Sequence, residues 1–329
     1  MASDVSKLSD PLDRVLSVEI ARVTERAAVA AAMLRGRGDE RAADQAAVDA
    51  MRRELQAMAI DGTVVVGEGE RDDAPMLYVG ERLGLGGPEV DLALDPLEGT
   101  TICAKSLPNA LTVIAVAARG SLLVVPDVYM EKIAIGPGYA EGIVGLDRTP
   151  RQNIEALARA KGVPVDRITA CILDRPRHAK LIEDIRATGA AIRLIGDGDV
   201  AGVIHTTDPE STGIDIYMGI GGAPEGVLAA AAIRCTGGQI QGRLQLNTGE
   251  KRNRADKLGL TDPERIYKLS DMVRGEVIFA ASGVTDGNLL DGVRFYASRT
   301  VTHSLVMDSR NGTLRDMRTR HLTSTASDS

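Results

Sequence analysis

Leu92-Ala93-Leu94-Asp95-Pro96-Leu97-Glu98-Gly99-Thr100 reads as an apolar strand that ends in two carboxylates and a hydroxyl around a tight turn. Hard divalent cations favour such oxygen donors. Just upstream, the β-branched run Thr63-Val64-Val65-Val66 leads into a second acidic turn, Gly67-Glu68-Gly69-Glu70-Arg71-Asp72-Asp73. Two strands thus deliver carboxylates from their ends. Glu68, Asp95 and Glu98 are candidate ligands for Mg2+ or Mn2+, with the Leu97 carbonyl as a further oxygen. Asp, Pro and Gly are also ordinary residues of solvated turns, so the pattern gains weight only from the rest of the chain.

Upstream, Asp10-Pro11 offers a capping carboxylate and a proline suited to a first helical turn. Leu16, Ile20, Val23, Ala27, Ala30 and Leu34 then recur at intervals of three and four, the period of a buried amphipathic helix. Gly36-Arg37-Gly38-Asp39 ends it. A second helical pattern puts Ala47, Val48, Met51, Leu55 and Met58 on one face, and Asp44 lies on that same face. An acid on an apolar stripe needs a partner, either an arginine or a metal ion.

Downstream, residues 111–117 and 122–125 read as strands, and 136–151 is turn-rich. The reading divides the chain into an N-terminal metal-binding α+β subdomain, 1–160, and a C-terminal α/β subdomain, 161–329. In the second, strands at 168–173, 191–195 and 214–218 alternate with helices at 180–186 and near Val200. This is an α/β rhythm, in which ligands sit beyond the carboxyl ends of strands. The turns there are Asp174-Arg175-Pro176-Arg177-His178, Asp197-Gly198-Asp199 and Gly219-Ile220-Gly221-Gly222-Ala223-Pro224-Glu225-Gly226. Arg175 and Arg177 flank a proline, and guanidinium forks suit phosphate oxygens, although a solvated surface pair has the same appearance. The glycine-rich run reads as backbone amides at the entrance of a helix over 227–234, a common anion cradle. Glu225 falls where the helix dipole favours an acid with or without a function.

Composition removes other classes of function. The 329 residues are 44% hydrophobic and 26% charged, as in a folded globular chain, but only 2% aromatic with no Trp. That leaves no stacking platform for single-stranded nucleic acid, and the net charge of -7 provides no broad positive field for a phosphate backbone. Cys103, Cys171 and Cys235 are odd in number and widely spaced, as in a reducing compartment. The four histidines lack metal-ligand spacing. The N-terminal residues do not read as a leader, and no apolar run reaches bilayer length. A cytoplasmic location follows as the expectation.

With Gly67-Glu68-Gly69-Glu70-Arg71-Asp72-Asp73-Ala74-Pro75-Met76-Leu77-Tyr78, Asp95-Pro96-Leu97-Glu98-Gly99-Thr100, Pro126-Asp127-Val128-Tyr129-Met130-Glu131-Lys132 and Gly221-Gly222-Ala223-Pro224-Glu225-Gly226 in order, the chain resembles the bacterial class II fructose-1,6-bisphosphatases from about Leu16 to Arg320. The resemblance implies an α/β fold, the layered αβαβα sandwich of the metal-dependent, lithium-sensitive sugar phosphatases that includes inositol monophosphatases. It implies hydrolysis of the C1 phosphate of fructose 1,6-bisphosphate, with sedoheptulose 1,7-bisphosphate as a second substrate. It also implies Mn2+ or Mg2+ held by Asp44, Glu68, Asp95, Glu98 and Glu225. Substrate contacts fall on Glu98, Gly99, Thr100, Tyr129, Arg175, Pro176, Arg177, Asp197, Gly198, Asp199 and Gly222. Thr100 would orient the attacking water and Asp72 accept its proton. Glu40 and Thr101 depart from the family pattern, which leaves details of rate and substrate choice open. Another phosphatase of the superfamily and a silent sugar-phosphate sensor are the competing readings. The expected partners are a small sugar bisphosphate and further copies of the chain as a dimer or tetramer, with no nucleic acid and no membrane.

Overall fold

The computed structural model describes residues 14–69 and 76–322. The helix start expected at Asp10 and Pro11, and the candidate base Asp72, lie outside the described residues. The chain divides into two compact units, Met1–Gly120 with Glu276–Ser329, and Ser121–Gly275. The boundary read at residue 160 falls within a helix of the second unit, Pro150–Lys161. The first unit is discontinuous because the chain from residue 277 onward returns to pair with the strand of residues 111–118.

In the first unit, α1 (Arg14–Ala32) and α2 (Glu40–Gln56) present the two apolar stripes read from the sequence. Leu16, Ile20, Val23 and Ala27 share one core with Ala43, Ala47, Met51 and Leu55, and the small alanines let the helix axes approach closely. Asp39 starts α2 by accepting the Ala42 N–H at 2.9 Å, which satisfies one of the donors left open in a first turn. Glu40 follows in that first turn, where an acid suits the helix dipole.

These helices pack on an eight-stranded sheet made of β1 (Asp61–Val66), β2 (Arg82–Leu83), β3 (Glu89–Glu98), β4 (Leu111–Ala118), β11 (Val277–Gly283), β12 (Arg294–Tyr296), β13 (Arg299–Asp308) and β14 (Thr313–Leu322). The order is β12-β13-β11-β4-β3-β1-β2, with β14 also paired to β13. β1 and β3 run parallel, and the other neighbours antiparallel.

β3 extends further than its apolar residues suggest. Asp95 to Glu98 belongs to the strand rather than to a turn after it. The register against β4 slips between Asp95, opposite Val113, and Glu98, opposite Leu111. Pro96 and Leu97 therefore sit in a bulge, where a residue without an N–H is tolerated. The Asp95 carboxylate closes the bulge by accepting the Leu97 N–H at 3.0 Å, and the Thr112 hydroxyl donates to the Pro96 carbonyl at 3.0 Å. Only then does the chain turn, through Gly99 at φ 89°, into α3 (Thr100–Ala104). A side chain at Gly99 would be strained.

The second unit has a six-stranded sheet of β5 (Tyr129–Ile135), β6 (Thr169–Leu173), β7 (Ala191–Ile195), β8 (Ile216–Gly222), β9 (Gln239–Leu244) and β10 (Ile266–Lys268), in the order β10-β9-β5-β8-β6-β7. β8, β6 and β7 are parallel and the rest antiparallel. α4 (Pro150–Lys161) and α5 (Ala179–Arg186) cover one face through Ile154, Leu157, Ile182 and Ile185, against Ile133, Ile172, Ile216 and Met218. α6 (Asp199–Ile204) and α8 (Ala223–Thr236) cover the opposite face, onto which the alternate residues Met130, Lys132 and Tyr217 project. α7 (Pro209–Thr212), α9 (Gly249–Lys257) and α10 (Leu269–Met272) complete the unit.

Two expectations fail here. Residues 122–125 form no strand, and Leu122 makes only an isolated bridge to Val273. The run Gly219 to Gly222 is the end of β8 rather than a loop at a helix entrance, with Gly219 opposite Lys132 and Gly222 opposite Tyr129. Its glycines answer a packing demand. A Cβ at Gly221 would overlap the Asp199 carboxylate, and one at Gly222 would overlap that of Glu225.

Candidate active site

Because β1 and β3 are parallel, their carboxyl ends open on the same edge of the first sheet. Glu68 follows β1, and Asp95 and Glu98 finish β3. Gly67 lets this turn close, since a Cβ there would overlap the Leu77 carbonyl, and the Glu68 N–H donates to that carbonyl at 3.1 Å. Asp95 and Glu98 each offer a carboxylate oxygen, the two lying within 4.8 Å of each other, and Glu98 is only 5% exposed. Asp44, half-buried on α2, is coupled electrostatically to Asp95. Burial first, and then the Asp95 charge, push its carboxyl up to about 6 from 3.8. Thr100 opens α3 directly after the Gly99 turn.

The first unit thus brings Asp95 and Glu98 together, with Asp44 near enough to Asp95 to feel its charge. Like charges repel, and oxygen donors held in a partly buried place beside one another fit a hard divalent cation.

In the second unit, the three parallel strands end on one edge and gather the turns read from the sequence. Arg175 Nη2 lies 3.6 Å from Asp197 Oδ1. Arg177 donates from Nε and Nη2 to the Ile220 carbonyl at 2.9 and 2.8 Å, and its guanidinium stacks 4.7 Å from the centroid of the Tyr129 ring. Tyr129 is 48% exposed, so this cationic and aromatic pair faces solvent. Pro176 begins the short 3₁₀ turn that carries Arg177, and Gly198, at φ 82°, precedes α6.

Asp199 differs from its neighbour Asp197. It is 5% exposed and forms an ion pair with Lys132, whose side chain is fully buried. The same ammonium donates to the Gly222 carbonyl at 2.8 Å. Glu225 stands in the first turn of α8, against Gly222.

Three residues of this edge escaped the sequence reading. Lys132 could have been suspected, because it falls at an inward position of an alternating strand. Lys251, on α9, lies 5.9 Å over the Tyr129 ring, and nothing in the sequence links the two. His178, which closes the turn Asp174-Arg175-Pro176-Arg177-His178 and lacks metal-ligand spacing, is almost fully buried.

An α/β chain with acids at parallel strand ends in one unit, and an arginine stacked on an aromatic ring in the other, has the makings of a phosphate ester hydrolase. Comparison with known proteins narrows the class. The chain belongs to the family of bacterial fructose-1,6-bisphosphatases, glpX-encoded, which it matches over residues 14–321. It is 44% identical over 326 residues to the D-fructose 1,6-bisphosphatase class 2/sedoheptulose 1,7-bisphosphatase of Prochlorococcus marinus (strain NATL1A), covering 94% of this chain and 97% of that one. It is 40% identical over 337 residues to the protein of the same description from Synechococcus elongatus, with the same two coverages. Among solved structures, Mycobacterium tuberculosis SuhB aligns with a TM-score of 0.40 at 13% identity, over 75% of this chain and 98% of its own. An inositol monophosphatase from Anabaena aligns with a TM-score of 0.36 at 13% identity, over 76% and 97%.

Proposed function

We propose that this chain hydrolyses the C1 phosphate of D-fructose 1,6-bisphosphate to fructose 6-phosphate and phosphate, and accepts sedoheptulose 1,7-bisphosphate as a second substrate. Within the structure, the observation that carries the reading is the closeness of the Asp95 and Glu98 carboxylates, with Asp44 within reach of the Asp95 charge, and the family membership and the names of the two relatives direct it to these substrates.

Asp44, Glu68, Asp95, Glu98 and Glu225 would hold Mn2+ or Mg2+. When bound, such an ion neutralises phosphate charge and lowers the pKa of a coordinated water. The chain supplies the rest. Thr100, opening α3, orients the attacking water through its hydroxyl, and Asp72 accepts the proton. Arg175, Arg177 and Tyr129 grip the distal phosphate, and Asp197 accepts hydrogen bonds from sugar hydroxyls. Holding the remote end fixes the reacting end. Asp199 contributes through its pairing with Lys132, and Gly222 through the close approach that its missing side chain allows. Among the described residues no helix is long and apolar enough to cross a membrane, and Cys103, Cys171 and Cys235 form no disulfide. Cytoplasmic residence as a homo-oligomer completes the proposal.

Phosphate release from the two bisphosphates, measured side by side while Mn2+ and Mg2+ are titrated, tests it. Glu98→Gln is expected to lower kcat by about 100-fold or more with little loss of folding, and Arg177→Ala to act mainly on KM. Release from an inositol monophosphate but from neither bisphosphate would return the chain to the wider superfamily.

A further inference from the structure

His178 sits behind the arginine turn with both ring nitrogens in use. Its Nδ1 lies 2.8 Å from the Leu173 carbonyl, at the end of β6, and its Nε2 lies 2.8 Å from the Ile220 N–H on β8. A backbone N–H can only donate, so Nε2 must be the unprotonated acceptor and Nδ1 the donor. The ring is therefore neutral and of one tautomer. The peptide on the far side of Ile220 offers the carbonyl that takes both the Nε and Nη2 hydrogens of Arg177. Gly219 completes the fit, since a Cβ there would lie 3.3 Å from Nε2. One imidazole thus fixes the residue on which the guanidinium is anchored.

We propose that His178 is a positioning residue for substrate binding, which holds Ile220 so that Arg177 is presented over Tyr129 to the distal phosphate. The inference rests on the reading of Arg177 as a phosphate contact. Protonation at Nε2 would set two donors against each other and release the Ile220 peptide. Burial holds the His178 pKa below its ordinary range. The charged groups around the ring are Arg177 on its own turn, which opposes protonation, and Asp199 on α6, which favours it. Lys132 and Glu131 on β5, and Arg148 ahead of α4, line the same cavity of about 150 Å³. Acid should therefore weaken the grip on a bisphosphate while the fold persists.

The test compares KM and kcat for fructose 1,6-bisphosphate and for fructose 1-phosphate, which lacks the distal phosphate, between pH 5 and 8. His178→Asn keeps the donor to Leu173 but cannot reach Ile220, and should raise the bisphosphate KM about tenfold relative to that of the monophosphate. His178→Gln places an unprotonatable acceptor near the Ile220 N–H. It should restore the KM ratio at neutral pH and remove the part of its rise in acid that wild type shows. Both enzymes share the titration of the substrate's own phosphates near pH 6, so the difference between them isolates His178. If Arg177→Ala raises the KM ratio but His178→Asn does not, or if His178→Asn lowers kcat on both substrates alike, the positioning role is wrong. If Arg177→Ala itself leaves the ratio unchanged, the distal-phosphate reading has failed, and the role of His178 falls with it.

Discussion

Lys132→Met removes an ammonium with no exposed side-chain surface and leaves Asp199, at 5% exposure, as a buried carboxylate without that cation. Breaking a buried ion pair from one side costs about 3–5 kcal/mol, because the remaining charge is neither solvated nor compensated. The Gly222 carbonyl loses its 2.8 Å donor as well, for about 1 kcal/mol more. Methionine fills much of the lysine stem's volume, so an added cavity term is small. The total of about 4–6 kcal/mol is a large share of the 5–15 kcal/mol typical of a whole protein. At about 2–4 °C per kcal/mol for a unit of this size, the unfolding midpoint should fall by roughly 8–24 °C. Thermal and urea unfolding followed by far-UV circular dichroism measure this directly. The double variant Lys132→Met/Asp199→Asn leaves no unpaired charge, and should recover at least about 2 kcal/mol of the single variant's loss. A single variant within about 1 kcal/mol of wild type, or a double variant no more stable than the single one, would refute the reasoning.

Asp44→Asn removes an acid whose pKa burial and Asp95 have raised to about 6, a contribution to stability that is full below 3.8 and lost as pH rises through 6. With EDTA at pH 7.5 the variant should melt above wild type, while Mn2+ should raise its midpoint less than it raises that of wild type. A lower midpoint in EDTA counts against this picture. His205 is buried and, among the described residues, neither ring nitrogen has a hydrogen-bond partner. Burial, and then Arg193, lower its pKa from 6.5 to about 4, so its share of stability is full above 6.5 and is lost as pH falls through 4, by about 3 kcal/mol in all. His205→Leu should flatten the decline of the urea midpoint between those limits, and a slope equal to that of wild type rejects the assignment. Gly222→Ala forces the Glu225 carboxylate aside. Calorimetric titration should show Mn2+ binding weaker by about 10–100-fold, and an unchanged affinity would remove Glu225 from the ligand set.

Much of this was legible in the sequence where local physics decides the outcome. The three-and-four spacing of Leu16, Ile20, Val23 and Ala27 fixed α1, and the β-branched run before Glu68 fixed β1. Asp44 was legible because an acid on an apolar stripe is costly enough to need a reason. What was not legible depends on residues far apart in the chain. Pro96 argues against a strand until Asp95 and Thr112 are seen closing a bulge around it. The glycines after Met218 suggest a loop until the Asp199 carboxylate, from 22 residues upstream of Gly221, is seen to occupy the space of a Cβ. The division at residue 160 missed the return of β11 to β4, a pairing that no local pattern records. Lys132 and Asp199 stand 67 positions apart, and neither residue alone announces the other.

The two units treat buried charge in opposite ways, and the contrast bears on function. In the second unit, Lys132 and Asp199 are neutralised within the protein, so the pair holds Gly222, and through it the start of α8, without help from a ligand. Rigid support of this kind keeps contacting groups within the narrow tolerance that catalysis needs. In the first unit, burial and then the Asp95 charge raise the Asp44 pKa, an arrangement that weakens the metal-free fold at neutral pH. A divalent cation that binds only the folded state would recover that loss, and its affinity would include the relief of repulsion between the acids. On the proposed metal reading, the acids of the first unit are groups whose repulsion a cation would relieve, whereas the Lys132 pair fixes Gly222 without one.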